Sequence, residues 1–414
     1  MTDSNVIVVV DPVSSAVYFG NAIQAKGYRA VALISVKKLS ASLKRLQDLK
    51  EFQHIVYAED LDSAIELLSR LRVCAVVPGS DLGVCLADKI SNYYGLVGNL
   101  IETSLSRTDK GSQKATLIRK GVAVGWGIEM EASDDKRETL KLLKYPVVVK
   151  PCRGTGSRNV KMCTNISEVD ESISNIRNNA EARGDEERKV LVEEYLGGEE
   201  YFAVTANYGI SGDKQLICFA VYEKITRGRS PSVYKNIRSL PLDDGRAQFA
   251  FRYVKAVNAA LDFAYGINDV ELKIGLRGPL MIEQNGRVPG ALVPKLIGLC
   301  TGVDCYQLAL DIYLGEKVTP ISSLVFQRHF CICCLISERS GVVEKINGLE
   351  EVQNLKSFNM MSLHVDVGDH VDLTLDFLSS WGMVFLVHDD LDVLQAESEV
   401  VHEKLSLQYQ SRRV

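Results

Sequence analysis

Glu271 and Glu283 stand on two strand-like runs that flank a Gly/Arg/Gly turn, within the stretch from Asp269 to Gly290. Paired as a hairpin, the two runs set these carboxylates across from each other. Asn285 and Arg287 follow Glu283 at strand spacing, so the three side chains share a face. Two adjacent carboxylates and an amide oxygen suit Mg²⁺ held together with substrate phosphates. An arginine beside them suits a phosphoryl group in transfer. Carboxylates on an otherwise apolar hairpin are costly to bury without a cation, which favours a metal role over a structural one.

A second constellation lies upstream. Tyr145-Pro-Val-Val-Val-Lys150 reads as a strand that ends on a lysine. Pro151-Cys-Arg-Gly-Thr-Gly-Ser-Arg158 follows as a loop rich in glycine and hydrogen-bonding residues. Backbone N–H groups in such a loop can cradle phosphates, and glycine permits their close approach. A glycine loop alone would read as an ordinary hairpin turn. The order of strand, Lys-Pro, glycine loop, strand and then the acidic Glu193-Glu-Tyr-Leu196 is more specific, and it describes a nucleotide clamp.

The elements around these residues divide the chain. The first hundred residues alternate strand and helix patterns. Val6–Val10 is a continuous apolar run, as in a buried parallel strand. Ala30–Ser35, His54–Tyr57 and Cys74–Val77 continue the strands, with helices ending near Gln24 and spanning Leu82–Tyr94. This predicts an open, doubly wound α/β unit over residues 1–105. A linker helix and a small α+β lid are expected over 106–196, with Lys114–Lys120 helical and Ser167–Asn178 a second helix. Residues 197–414 form the third unit, with a terminal β-rich segment from about 325. Within it, Phe251, Val254, Leu261 and Tyr265 predict a helix stopped by Gly266. Asp304–Leu314 is a further helix, and the last part of the chain reads as short strands and turns.

Composition excludes several classes. Of 414 residues, 46% are hydrophobic and 24% charged, which is ordinary for a globular protein. The net charge of -5 and the lack of a basic tract argue against nucleic acid as a partner. Met1-Thr-Asp-Ser-Asn5 has no basic leader, and no apolar run is long enough to span a bilayer, so no membrane partner and a cytoplasmic location are expected. The ten cysteines form no paired C-x-x-C units, and most sit in apolar runs as buried thiols. The six histidines have no metal-site spacing.

Taken together, the chain resembles the ATP-grasp superfamily. The matching signatures are Asp109-Lys110, Val149-Lys-Pro151, Gly154-Thr-Gly-Ser157, Glu193 through Glu200, and Glu271 with Ile282 through Gly290. They run in the expected order over nearly the whole chain. The resemblance implies an α/β and α+β multidomain protein with the ATP-grasp fold: an N-terminal doubly wound parallel sheet, a small α+β lid and a β-rich C-terminal domain. It implies ATP and Mg²⁺ as cofactors, with Mn²⁺ as an alternative ion. Lys110 and Lys150 would contact the nucleotide phosphates, and Gly154, Thr155, Gly156 and Ser157 would form the flap over them. Glu193, Glu194, Tyr195 and Leu196 would be the hinge that reads the adenine edge through backbone groups. Glu200 would reach the ribose or support the site. Glu271, Glu283 and Asn285 would hold the metal, and Arg287 would stabilise an acyl phosphate. From the residues alone, Lys114 competes with Lys110 for its role, and Glu200 could be a surface charge.

Val77–Asp88, Gly95–Asn99, Thr108–Lys110 and the segment from Arg328 to Gly382 look like the L-amino-acid ligases, dipeptide synthetases of the bacilysin and dapdiamide type. That resemblance implies an ADP-forming acid–amino acid ligase of the kind used in antibiotic biosynthesis. Its partners would be a small-molecule carboxylate and an amine, with a homodimer as an oligomeric option. The other readings are an ATP-grasp carboxylase using bicarbonate and a nucleotide-binding module without catalysis. Two departures stand out. Asp269 replaces a histidine common in the group, adding a third carboxylate or capping the strand. Lys235 and Arg238 replace a Glu and a His. Facing the substrate with Asp269, Arg287 and Gly290, that pair would repel an ammonium and attract a carboxylate. Facing solvent, it would do neither.

Overall fold

The computed structural model describes residues 5–35, 39, 41–131, 137–154, 156–183, 189–209, 214–318 and 324–410. The N-terminal sheet holds β1 (Asn5–Val10), β2 (Arg29–Ile34), β3 (His54–Tyr57) and β4 (Arg72–Pro78), all parallel, in the order β3-β2-β1-β4. Val6 through Val10 are fully buried, because a parallel strand covered on both faces needs apolar residues at every position. The strand order reverses direction between β1 and β4. The loops after these two strands, Asp11–Ser15 and Gly79–Asp81, therefore flank a switch-point crevice of the kind where open α/β sheets bind ligands.

The lid is an antiparallel sheet ordered β5-β8-β6-β7, built from β5 (Gly127–Glu131), β6 (Val147–Pro151), β7 (Lys161–Cys163) and β8 (Lys189–Glu194). The helix Ile166–Arg183 covers one face, and Val147, Val149, Val169, Val190 and Val192 fill the core between them. The helix before the lid begins at Lys110, capped by the Asp109 side chain, four residues earlier than Lys114.

The large sheet takes β9 (Glu199–Tyr208), β10 (Lys214–Arg227), β11 (Ser230–Ser239), β12 (Tyr265–Gly275), β13 (Gly278–Asn285) and β14 (His329–Leu335). Past β15 (Gly341–Asn347) it also takes β16 (Phe358–Leu363) and, after β17 (His370–Val371), β18 (Gly382–His388). The order is β13-β12-β9-β10-β11-β14-β18-β16, so the terminal β segment extends the sheet that carries Glu271. A small sheet, β17-β15-β19, closes the chain with β19 (Ser406–Tyr409). One face of the large sheet shares a core with the N-terminal unit, joining Ile7 and Val77 to Val204, Ile217, Ile237 and Phe385. The other face packs on the helix Gly245–Ala260 and, further along, on the helix Leu391–Lys404.

Two expectations fail here. The helix expected over Phe251–Tyr265 ends at Ala260, and Tyr265 opens β12. The stop is Asp262 in the left-handed region, φ 51°, rather than Gly266. Gly266 lies inside β12, where an added Cβ would sit 2.4 Å from the Tyr313 hydroxyl, so close packing explains that glycine. The last part of the chain also holds a fourteen-residue helix, Leu391–Lys404, capped by Asp390. Its pattern of Leu394, Ser398 and Val401 on the buried side is too sparse in apolar residues to stand out in the sequence.

Candidate active site

β12 and β13 pair antiparallel with Glu271 opposite Glu283 and Asp269 opposite Asn285. Both glutamates line a cleft between this hairpin and the lid, walled by Lys110, Lys150, Gly154, Ser157 and the segment Glu193–Leu196. The space between the hairpin and the lid, about 790 Å³, is continuous with open solvent.

Most of the charges in the cleft are paired with one another. Lys110 Nζ lies 2.6 Å from Glu283 Oε2 and donates to the Gly154 carbonyl at 3.0 Å. Burial alone would raise Glu283, but Lys110 and then Lys150 outweigh it and hold the carboxyl below the usual range. Glu271 accepts from the Tyr222 hydroxyl at 3.2 Å. Burial, followed by the Glu283 charge, pushes it well above the usual carboxylate range. Two half-buried carboxylates with one ion-paired ammonium, Lys110, between them are short of positive charge. Asn285 donates its Nδ2 to Asp269 at 2.8 Å, which turns its amide oxygen away from Asp269. An all-oxygen donor set with a charge deficit fits Mg²⁺.

Arg287 is gripped on two sides. It donates to Asp269 at 2.6 Å and to Asp81 at 3.0 Å. Burial opposes its charge, but the Asp81 and Asp269 carboxylates outweigh that and keep it firmly cationic. Burial pushes Asp269 up to about 6 even against Arg287. Asp81 comes from the loop after β4, so the N-terminal switch-point crevice opens beside the arginine. Ser15 Oγ accepts from the Leu292 N–H at 3.0 Å, which brings the loop after β1 to the same place. Gly290 starts that turn, and a Cβ there would lie 3.5 Å from Ser14 Oγ.

Lys150 Nζ lies 2.6 Å from Glu193 Oε1, and Lys114 Nζ lies 2.9 Å from Glu193 Oε2. Glu193 thus spends its side chain on two lysines. Burial would raise it, but Lys150 and then Lys114 overcome this and hold it low. Lys114 also donates to the Gly125 carbonyl, and its stem passes where a Cβ on Gly127 would sit, 2.7 Å away. Of the two candidate lysines, Lys110 lines the cleft and Lys114 braces the lid strand beneath it. Glu194 pairs with Arg277 at 2.5 Å. The Leu196 carbonyl accepts from Lys273 at 3.1 Å, and Tyr195 has the Lys273 ammonium 5.1 Å from its ring centre. Glu200 lines the cleft in an ion pair with Lys224. Thr155 lies outside the described residues.

The structure does not bring Lys235 and Arg238 into this cleft. Lys235 pairs with Glu399 on the helix Leu391–Lys404 at 2.8 Å. Arg238 pairs with Glu223 at 2.9 Å. A register shift between Glu223 and Lys224 decides the faces. Lys224 and Tyr234 turn toward the cleft, with the ammonium 4.2 Å from the ring centre. Asn236 and Arg238 turn with Glu223 to the opposite face. Sequence reasoning missed Lys224 and Lys273, which line the cleft, and Asp81, Tyr222 and Tyr234, which hydrogen-bond to Arg287, Glu271 and Ser157. Tyr222, Lys224, Tyr234 and Lys273 lie within β10, β11 and β12, and Asp81 in the loop after β4, so their place beside the glutamate hairpin is visible only once the strands are paired.

Residues 143–295 match the ATP-grasp domain family, and the fold is the ATP-grasp fold. Within that class the chain is similar to Dapdiamide A synthase of Enterobacter agglomerans, with 24% identity over 404 residues, 95% of this chain and 94% of that protein. The L-amino acid ligase from Bacillus licheniformis shares the fold with a TM-score of 0.81 at 18% identity, over 99% of this chain and all of that one. The biotin carboxylase domain of Hydrogenobacter thermophilus 2-oxoglutarate carboxylase, crystallised with magnesium ADP and bicarbonate, gives a TM-score of 0.68 at 16% identity, covering 97% of this chain and 90% of that domain. Among the described residues no helix is long and apolar enough to cross a membrane.

Proposed function

We propose that the protein is an ATP-dependent carboxylate–amine ligase that joins amino-acid-like substrates and releases ADP and phosphate. The observation that carries this reading is the meeting of three features at one cleft. The Glu271/Glu283 pair with its lysines forms one wall. Arg287 stands beside it. The switch-point crevice of the N-terminal sheet opens next to that arginine through Asp81. The full-length similarity to Dapdiamide A synthase supports the ligase over other ATP-grasp chemistries.

In the first step a carboxylate oxygen of the donor attacks the γ-phosphorus of ATP, the bond to the β-phosphate oxygen breaks, and ADP leaves. In the second, the amine attacks the acyl carbon of the acyl phosphate. The C–O bond to phosphate breaks and the amine proton passes to phosphate or water. Such reactions need charge neutralisation and alignment rather than a protein nucleophile. Lys110 and Lys150 supply ammonium groups along the polyphosphate. Arg287, fixed by Asp81 and Asp269, presents a rigid planar cation to the transferring group. Glu271, Glu283 and Asn285 would hold Mg²⁺, which when bound neutralises phosphate charge. The glycine loop shields the acyl phosphate from water.

The test is phosphate release from ATP and Mg²⁺ with pairs of amino acids, followed by product mass. A mass equal to donor plus acceptor minus water supports the ligase. ADP release that needs bicarbonate and no amine would assign the carboxylase reading instead.

A further inference from the structure

The glycine loop does not rest on the lid alone. Gly156 has φ +69°, and a Cβ added there would lie 2.5 Å from Leu378 Cγ. The next residue, Ser157, shares a 3.0 Å hydrogen bond with the Tyr234 hydroxyl. The Tyr234 ring meets the Phe377 ring edge-on, with centres 5.4 Å apart. Leu378 and Phe377 belong to a short turn of helix, Phe377–Ser379, closed by a reciprocal Asp376/Ser379 capping box. That turn comes from the far end of the chain. It is tied to the β10–β11 hairpin by Ser230 Oγ donating to the Leu375 carbonyl at 2.6 Å, and by Arg227 donating to the Thr374 carbonyl at 3.0 Å.

We infer that Leu378 and Phe377 are positioning residues that seat the glycine loop over the nucleotide phosphates. The physical case is direct. A glycine loop has little side-chain surface of its own to pack, so its placement must come from what covers it. Here the cover is an apolar side chain against Gly156 and an aromatic ring behind the tyrosine that holds Ser157. Both come from a capped, anchored turn and so are rigid. Replacing the leucine removes the surface on which the loop rests and leaves every phosphate-binding group in place. The inference rests on the ligase reading for its consequence, that a well-seated loop keeps water from the acyl phosphate.

The experiment follows release of a fluorescent N-methylanthraniloyl-ADP with Mg²⁺ from the full-length protein. Leu378→Ala is expected to speed release roughly fivefold, as loss of part of a leucine contact would. It should raise the ADP formed per amide by a similar factor, with the melting temperature within about 2 °C of wild type. Leu378→Met should restore slow release, because it refills the contact. Gly156→Ala should be harmful in the wild-type background and less so with Leu378→Ala, where the clash is gone. Unchanged release in both Leu378→Ala and Phe377→Ala overturns the inference, as does an equal cost of Gly156→Ala in both backgrounds. A wild-type protein that releases ADP but makes no amide with any acid–amine pair overturns the ligase reading instead. The release rates still decide the role of Leu378 in that case.

Discussion

Glu193→Gln is the most demanding test of the charge arrangement under the nucleotide. Glu193 sits 2.6 Å from Lys150 and 2.9 Å from Lys114, with the three side chains only 8%, 3% and 3% exposed. The substitution keeps the shape and removes the only carboxylate within ion-pair distance of either ammonium among the described residues. It leaves two buried cations facing a neutral amide. Breaking a buried pair from one side costs about 3–5 kcal/mol. That corresponds to a fall in melting temperature of roughly 3–6 °C for a chain of this size. Lys114→Met in the same background removes one stranded cation and should recover most of the loss. The pH dependence has a definite sign. Glu193 is held below its ordinary value of 4.5, so its stabilisation is fully present above that pH. It fades as the solution is acidified through the lower folded value, and Glu193→Gln should flatten that part of the profile. Thermal melts from pH 3 to 8 of the wild type and both variants provide the measurement. A single variant that melts within 1–2 °C of wild type at pH 7, on the scale of a surface pair, would refute the reasoning.

Three further outcomes are expected. Glu283→Gln should abolish the thermal shift given by Mg²⁺ with ADP and lower ADP release by at least about a hundredfold. Retained turnover would remove Glu283 from the metal site. Arg287→Lys keeps the charge but cannot span Asp81 and Asp269 together, so kcat should fall by about 10²–10³ with little change in the KM for ATP. Lys235→Ala and Arg238→Ala should leave the ranking of donor and acceptor substrates unchanged and cost at most about 1 kcal/mol of stability each. A changed ranking would return these residues to the substrate site.

The glutamate hairpin was readable in the sequence because strand alternation and a tight turn together fix which residues face each other. The alternating strands and helices of the first unit, and the strand–loop–strand of the lid, were readable for the same local reason. The partners of Arg287 were not, since Asp81 lies 206 residues away and meets it only when the N-terminal sheet docks. The side taken by Lys235 and Arg238 was hidden by a one-residue register shift, which changes the facing of every later residue on the strand. Leu378 follows Leu373, Leu375 and Phe377 in an irregular segment, and its meaning appears only with Gly156 beneath it.

The most direct test of the central claim is the mass of what is made. The purified protein is given ATP, Mg²⁺ and a panel of paired amino acids. The account predicts, for at least one pair, a product weighing donor plus acceptor minus water, formed in step with ADP and phosphate and lost in Glu283→Gln. AMP and pyrophosphate as the nucleotide products, or the same amide yield from Glu283→Gln, would contradict it.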